Sequence, residues 1–268
     1  MDWTPIPLLV ALGCIVGFLA GLLGVGGAMT IIPVLTIVFA REHFPPEHLI
    51  HMAVATSMAT IAFTSLSSMR AHHRRGAVLW PIVWGLAPGI MLGSLVGPLI
   101  VSRMSPAVLA AAFGVFATTS SVQMLLDLRP KVARSLPGPL GLFGVGSGIG
   151  VVSSMVGAGG AFISVPFMTA CSVRIHNAVA TSAALGFPIA VAGTAGFIIA
   201  GLRQSGLPPY SLGYVYVPGV AAIVVSSMLV APLGVRLAHR WPVAKLRRAF
   251  ACLLILIAAY MFWRAFNS

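Results

Sequence analysis

Gly24-Val25-Gly26-Gly27, followed by Pro33, decides how this chain folds, because it breaks an apolar run that would otherwise form one continuous helix. The same pattern returns as Gly157-Ala158-Gly159-Gly160, followed by Pro166, at a constant offset of 133 residues. Glycine lacks a Cβ atom, so the backbone can turn at these positions and its amides stay accessible. The repeated glycine break therefore predicts that the chain consists of two related halves.

A second shared string supports the duplication. Residues 51–57 read His-Met-Ala-Val-Ala-Thr-Ser and residues 176–182 read His-Asn-Ala-Val-Ala-Thr-Ser, so the two strings follow the two breaks in the same order. We place the boundary between the halves in a basic segment near the middle of the chain. This gives a first transmembrane repeat over residues 1–130 and a second over residues 131–268.

The composition is that of a membrane protein. Of the 268 residues, 59% are hydrophobic and only 7% are charged, whereas soluble domains carry about 25% charged residues. Several apolar runs exceed the ~18 residues that suggest a membrane span. The formal net charge of +12 comes mostly from Lys and Arg in short loops between these runs, where they set orientation. We therefore expect a polytopic protein in a lipid bilayer and no binding to nucleic acid.

The positions of the acidic residues favour an anionic substrate. Asp2, Glu42, Glu47 and Asp127 are the only acids, and all four lie outside the apolar runs. Carriers that move cations or relay protons usually place Asp or Glu within the membrane. The three cysteines are isolated in sequence, and neither a metal site nor a cofactor is expected.

The apolar runs predict an all-α membrane bundle of about ten helical elements, five in each half. The runs at 28–40 and 161–172 are too short for the ~30 Å hydrocarbon core at 1.5 Å per residue. We interpret them as half-helices, and the sequence leaves open whether they span or re-enter the membrane. The predicted elements cover residues 6–23, 28–40, 50–69, 77–102, 106–126, 140–156, 161–172, 177–200, 211–235 and 244–265.

The loop charges predict that the two halves have inverted topology. The loop after the third element is rich in Arg, whereas its equivalent near 201–210 holds only Arg203. The loop after the fourth element holds only Arg103, whereas its equivalent near 236–248 holds five basic residues. An odd number of elements per half reverses the orientation of the second half, as in many secondary transporters. The more basic face is then cytoplasmic, and both termini are predicted to be periplasmic.

The two breaks predict a binding site for an oxyanion. Each break is followed by a short helix whose N-terminus carries roughly half a positive charge and unpaired N–H groups. In a bilayer, non-helical backbone survives only when it is buried in protein or lines a cavity. Tight turns for close packing are the alternative interpretation, and the hydroxyls could equally bond their own helices. The candidate substrate-binding residues are Gly24, Gly26, Gly27, Thr30, Thr56, Ser57, Gly157, Gly159, Gly160, Ser164, Thr181 and Ser182.

His51 and His176 open the two copies of the second string, and two roles are open for them. They could act as protonatable gates, because the charge of histidine changes near neutral pH. The alternative is that they cap the start of their helices at the membrane interface, and we favour that reading.

The two glycine breaks with their prolines, each followed by His-x-Ala-Val-Ala-Thr-Ser, resemble the TauE/SafE family of sulfite and sulfonate exporters, in the 4-toluene sulfonate uptake permease superfamily. The resemblance covers nearly the whole chain. It implies a secondary carrier of the bacterial inner membrane for anions such as sulfite, sulfonates or thiosulfate. An anion channel of the same fold, and less favourably an integral membrane enzyme, are the alternatives. A homodimer is compatible with either reading.

Overall fold

The structure, a computed structural model, describes residues 5–23, 28–126, 135–157, 159–238 and 243–266. Within these ranges the chain forms ten α-helices and one two-stranded antiparallel hairpin. The elements are α1 (Pro5–Leu23), α2 (Ala28–Arg41), α3 (Leu49–Arg74), α4 (Trp80–Val101), α5 (Pro106–Leu125), α6 (Pro139–Val156), α7 (Ala161–Ala170), α8 (Ile175–Gly201), β1 (Ser211–Leu212), β2 (Val215–Tyr216), α9 (Val217–Ala238) and α10 (Val243–Phe266).

The predicted all-α membrane bundle of about ten helical elements is confirmed. Among the described residues, five helices are long and apolar enough to cross a membrane, namely α3, α4, α5, α6 and α8. The two helices that follow the breaks are short, as predicted. With 14 and 10 residues, α2 and α7 extend roughly 21 and 15 Å, less than the hydrocarbon core requires.

The third helix is longer than predicted at its C-terminal end. We expected it to end near residue 69, with the basic residues that follow in a loop, but α3 continues to Arg74. The segment from Arg70 to Arg75 contains neither Gly nor Pro, and helix-breaking sequence first appears at Gly76, which has a φ of 65°. The basic cluster therefore lies on the last helical turns of α3.

The ninth helix begins later than predicted. Residues 211–216, which we expected to be helical, form the β1–β2 hairpin, and α9 begins at Val217. Gly213 occupies the turn of this hairpin with a φ of 57°, in the left-handed region that favours glycine. Tyr214 and Tyr216 are buried beside it, which anchors the hairpin against the helices.

Glycine faces allow two pairs of helices to run in close contact. Gly89 of α4 lies against the backbone of Phe143 on α6, and Gly93 lies against the backbone of Ser147, so that a Cβ at either position would overlap α6. Because both residue numbers rise together, α4 and α6 are parallel. Small residues at such interfaces let helix backbones approach in membranes. The corresponding contacts of α1 with α9 join Gly13 to Ile223 and Gly17 to Ser227.

Equivalent helices of the two halves run antiparallel. Met58 of α3 lies against Gly193 of α8, and Ser65 of α3 lies against Gly186, so the residue numbers rise on one helix and fall on the other. This is the relation that inverted topology requires of the third element of each half. The helices α5 and α10 cross in the same sense, with Gly114 against Phe262 and Ser121 bonded to the carbonyl of Ala251.

The predicted boundary between residues 130 and 131 lies outside the described residues and stays a prediction. The division of the chain into two repeats also stays a prediction. In space, the helices of the two predicted halves are interleaved. The α1–α9, α4–α6, α3–α8 and α5–α10 contacts all join one half to the other.

Two glycines of α6 offer a matched test of the close contact between α4 and α6. A Cβ at Gly150 would meet the carbonyl of Ile90 and the amide of Ser94, whereas a Cβ at Gly148 would meet no atom within 4 Å. We expect Gly150→Ala to destabilise the protein by about 1–3 kcal/mol through overpacking. Gly148→Ala should leave stability unchanged or raise it slightly, because alanine favours a helix interior more than glycine does. Thermal unfolding of both purified variants in detergent measures the difference, and equal midpoints would contradict this packing.

Candidate functional site

The second glycine break holds two glycines in conformations that only glycine adopts without strain. Gly157 ends α6 with φ 62° and ψ 28°, and Gly160 precedes α7 with φ 77° and ψ −10°. Both conformations fall in the left-handed region, which residues with a Cβ rarely adopt. The sequence prediction of a glycine break between two helices is therefore confirmed in its local geometry.

This break lies deep in the bundle and touches both halves. A Cβ at Gly157 would meet Ile32 of α2 and, at 3.2 Å, Val54 of α3, while a Cβ at Gly159 would lie 3.8 Å from Ile61. Val54 and Ile61 lie about 8 and 18 Å along α3 from its first residue at 1.5 Å per residue. The break therefore lies more than one helical turn from either end of α3, and Gly157 and Gly160 are buried in protein, as non-helical backbone in a membrane must be.

Two of the predicted hydroxyls meet at the start of α7. The Ser164 hydroxyl oxygen lies 2.9 Å from the carbonyl oxygen of Gly160 and 2.7 Å from the hydroxyl oxygen of Ser182. Ser164 and Ser182 are both buried. Because each hydroxyl carries one proton, this pair can turn one O–H towards a ligand at the break only by giving up one of these bonds.

The structure adds Ser153, which sequence reasoning missed. Ser153 lies on α6 one turn before the break and is fully buried, and its hydroxyl has no hydrogen-bond partner among the described residues. Its oxygen lies 3.3 Å from where a Cβ of Gly160 would be, so it faces the start of α7. Buried polar atoms usually have partners. The residue at the same place in the first copy is Ala20, so a search for duplicated residues could not find it.

Thr56 and Thr181 have equivalent roles that tie the halves together. The Tyr216 backbone N–H, just before α9, donates to the hydroxyl oxygen of Thr56 over 3.1 Å. The Leu79 backbone N–H, just before α4, donates to the hydroxyl oxygen of Thr181 over 3.0 Å. Each threonine therefore fixes the first turn of a helix in the other half, which satisfies an N–H that the helix itself cannot pair.

Several predicted site residues lie outside what the structure describes. Gly24, Gly26 and Gly27 fall outside the described residues, and the side chain of Thr30 does as well. Ser57 is fully buried on α3, next to Thr56. The roles predicted for these residues in substrate binding stay predictions.

The two histidines occupy different environments. His51 is buried, its Nε2 donates to the carbonyl of Val101 over 3.0 Å, and its ring stacks on Tyr214 at 5.4 Å between centroids. His176 is exposed in the first turn of α8. His51 therefore binds the C-terminal end of α4 and does not cap the start of its own helix, which differs from our favoured reading. Its Nδ1 has no partner among the described residues.

The surroundings of the break carry no negative charge in the part of the chain that the structure describes. The two described acids, Glu42 and Glu47, lie in the turns between α2 and α3. Among the described residues no group of three His, Cys, Asp or Glu side chains could hold a metal ion. Outside the helices, burial raises the pKa of the Tyr214 hydroxyl above its ordinary value, which keeps it protonated. The site therefore offers backbone amides and hydroxyls, which suit an anion or a neutral polar ligand.

Comparison with known proteins points to a transporter. The family model described as sulfite exporter TauE/SafE matches residues 9–261. A probable membrane transporter protein of Haemophilus influenzae is 35% identical over 261 residues, which cover 97% of this chain and 99% of the relative. Probable membrane transporter proteins of Methanocaldococcus jannaschii and Bacillus subtilis are 24% and 30% identical and cover 96% and 72% of this chain. No solved structure matches the chain significantly.

The hydrogen bonds of the two threonines can be tested by removing their oxygen atoms. Thr56→Val and Thr181→Val preserve shape but leave the N–H of Tyr216 or Leu79 buried without an acceptor, which should cost about 1–3 kcal/mol each. Thr56→Ser and Thr181→Ser retain the oxygen and should lose much less. Thermal unfolding in detergent compares each pair, and valine variants as stable as the serine variants would show that these bonds contribute nothing.

Proposed function

The chain belongs to the TauE/SafE family and is a membrane transporter, and from this premise we propose that it carries small sulfur-containing anions such as sulfite, sulfonates or thiosulfate. The proposal concerns the substrate and the way it is held. It is supported by the family to which the chain belongs and by the chemistry of the second glycine break.

The single observation that carries this proposal is the arrangement at the start of α7. The first N–H groups of a helix have no carbonyl partner within the helix and carry its positive end. Here they lie beside the unpartnered hydroxyl of Ser153 and the hydroxyl pair of Ser164 and Ser182. Helix N-termini commonly bind sulfate- and phosphate-like groups, so an oxyanion here would accept from the Ser153 hydroxyl and from the amides at the start of α7, and from the serine pair once that pair gives up one of its bonds.

The first glycine break would complete the site by symmetry. We propose that Gly24, Gly26 and Gly27, with the hydroxyl of Thr30, contribute donors equivalent to those of Gly157, Gly159, Gly160 and Ser164. A site built at the meeting point of two repeats is common among secondary transporters, in which one half rocks against the other to give alternating access. The antiparallel crossings of α3 with α8 and of α5 with α10 support inverted topology.

The distribution of charge supports the proposed orientation. Arg74, Arg75 and Arg174 lie at the end of the α3–α8 pair where α3 ends and α8 begins, whereas Arg203 follows the other end of α8. The positive-inside rule then assigns the first end to the cytoplasm. We propose a bacterial inner membrane location with both termini in the periplasm.

Export is the direction that the membrane potential favours. An interior-negative potential adds about 2.3 kcal/mol per charge per 100 mV to the outward movement of an anion. Proton coupling would have no carboxylate available within the described helices. We propose His51 as a gating residue, because its buried Nδ1 has no partner among the described residues, and His176 would be the gating residue at the opposite end of the bundle.

Transport measurements in proteoliposomes test the substrate. The purified protein should take up or exchange labelled sulfite, thiosulfate or sulfoacetate, with sulfate and a carboxylate as comparison anions. Saturable uptake that is accelerated by substrate on the opposite side would support a carrier. Flux that follows the voltage without saturation would indicate a channel, and the absence of flux for all sulfur anions would contradict the proposal.

Two neighbouring serines give a matched test of the site. Ser153 has no partner, whereas the Ser154 hydroxyl donates to the Val151 carbonyl of its own helix over 3.0 Å. We expect Ser153→Ala to weaken binding of the transported anion about tenfold or more, because it removes a hydrogen bond to a charged ligand. Ser154→Ala should change affinity less than twofold. Equal affinities for the two variants, measured by titration in detergent, would exclude Ser153 from the site.

Gly159 offers a second test that does not strain the fold. A Cβ at Gly159 makes only an ordinary contact, 3.8 Å from Ile61, whereas a Cβ at Gly160 would overlap Ile189 in a left-handed conformation. We expect Gly159→Ala to fold normally and to bind the anion at least tenfold more weakly, because the methyl group would crowd the amides of the break. Size-exclusion chromatography verifies folding. A well-folded Gly159→Ala variant with unchanged affinity would argue against an anion at this break.

A further inference from the structure

A cavity of about 410 Å³ opens between α3 and α9, away from the glycine break. It lies along the last three turns of α3, near the end of that helix that carries the basic cluster. Its walls come from both predicted halves of the chain, because α9 belongs to the second. The cavity is lined by Phe63, Leu66, Ser67, Arg70, Ala71, Arg74 and Met228.

Two arginines make the opening of the cavity positively charged. Arg70 and Arg74 are one helical turn apart on the same face of α3, and both are exposed. Neither forms a salt bridge among the residues that the structure describes. Glu47, the described acid closest in sequence to α3, precedes its first turn, about 30 Å from Arg70 at 1.5 Å per residue. The described part of the chain therefore leaves the charge of both guanidinium groups uncompensated.

The inner wall of the cavity is apolar and open. Phe63 is 51% exposed and Met228 is 48% exposed, so both side chains are accessible to an acyl chain. Phe63 lies two turns before Arg70, about 10 Å deeper along α3. The two arginines lie at the end of a membrane helix, and the exposed apolar side chains lie about 10 Å deeper. This order matches that of a phospholipid, whose charged headgroup lies at the membrane surface and whose acyl chains lie deeper.

We propose that this cavity is a binding site for an anionic phospholipid. The headgroup phosphate would lie between Arg70 and Arg74, which can each donate two N–H groups to it, and an acyl chain would lie along Phe63, Leu66 and Met228. Basic pockets between membrane helices bind anionic headgroups in this way. Sulfite and thiosulfate have no apolar part, and the carbon part of a small sulfonate is much shorter than the ~10 Å from Arg70 to Phe63, so the cavity fits a lipid better than the transported substrate.

The cavity lies beyond the region in which α3 meets the start of α9. Near Thr56, α3 contacts Tyr216 of β2 and Gly219 of α9, whereas towards Arg70 the cavity lies between α3 and Met228 of α9. The counterpart pair, α8 and α4, stays in contact from the bond between Thr181 and Leu79 onward, to where Gly196 meets Leu95 and Pro98. A lipid in the cavity would thus fill the space between α3 and α9 and would stabilise this arrangement of the helices.

Lipid binding to the purified full-length protein tests the proposal. Native mass spectrometry and thermal unfolding in a nonionic detergent would compare phosphatidylglycerol, phosphatidylcholine with the same acyl chains, soluble glycerophosphoglycerol and sulfate. We expect phosphatidylglycerol to bind at least tenfold more tightly than phosphatidylcholine and to raise the unfolding temperature. The soluble headgroup and sulfate should have little effect, because they lack an acyl chain. If glycerophosphoglycerol alone bound as tightly as phosphatidylglycerol and raised the unfolding temperature as much, the cavity would be an anion site and the lipid proposal would be overturned.

Matched variants locate the lipid. Arg70→Ala combined with Arg74→Ala should remove the preference for phosphatidylglycerol, a loss of about 10- to 30-fold at ~1 kcal/mol per arginine. Arg75→Ala, on an exposed neighbour that does not line the cavity, should retain it. Phe63→Ser should weaken both phospholipids equally. Unfolding temperatures without added lipid verify that each variant is folded, and a folded double variant that keeps the preference would overturn the proposal.

This proposal is independent of the transported substrate. Anion binding to the double variant, measured in the same detergent, should match that of the unmodified protein, since the glycine break is on other residues. A loss of both lipid preference and anion binding would instead place Arg70 and Arg74 on the substrate pathway and would overturn the assignment of the cavity to a lipid.

Discussion

The whole structure depends on a constraint of the bilayer, in which a backbone amide without a partner is costly. A glycine break inside a membrane bundle exposes such amides, and a bilayer protein tolerates it only where other helices surround it. At the second break, α3, α8 and α2 provide this cover through Ile61, Ile189 and Ile32. These apolar side chains shield the backbone of the break from lipid.

The hydrogen bonds that join the halves follow from the same constraint. A helix that begins inside the bundle has N–H groups that need acceptors, and the amides of Leu79 and Tyr216 find them on Thr181 and Thr56 of the opposite half. These threonines come from the duplicated string, so the string ties the two halves together. This explains a shared Thr without requiring that it touch the substrate. Ser164 and Ser182, in contrast, meet at the break itself.

The sequence was sufficient for the membrane class, the ten helical elements and the two short helices, because apolar run length and glycine breaks are local signals. It placed the end of α3 and the start of α9 wrongly. The composition of the basic cluster suggested a loop although no residue before Gly76 breaks a helix, and the hairpin at Gly213 depends on the burial of Tyr214 and Tyr216 by distant helices. Ser153 was missed because its place in the first copy is occupied by Ala20, and reasoning from duplication finds only what is duplicated.

The proposed anion site at the second break is tested most directly by locating a bound anion in a crystal structure. Selenite is a heavier analogue of sulfite, and its selenium atom can be located by anomalous diffraction from crystals of the protein soaked with it. An oxyanion site at the second break predicts one strong peak within hydrogen-bond reach of the amides at Gly159 and Gly160 and of the Ser153 hydroxyl. A peak elsewhere in the bundle, with the break unoccupied at saturating selenite, would contradict it.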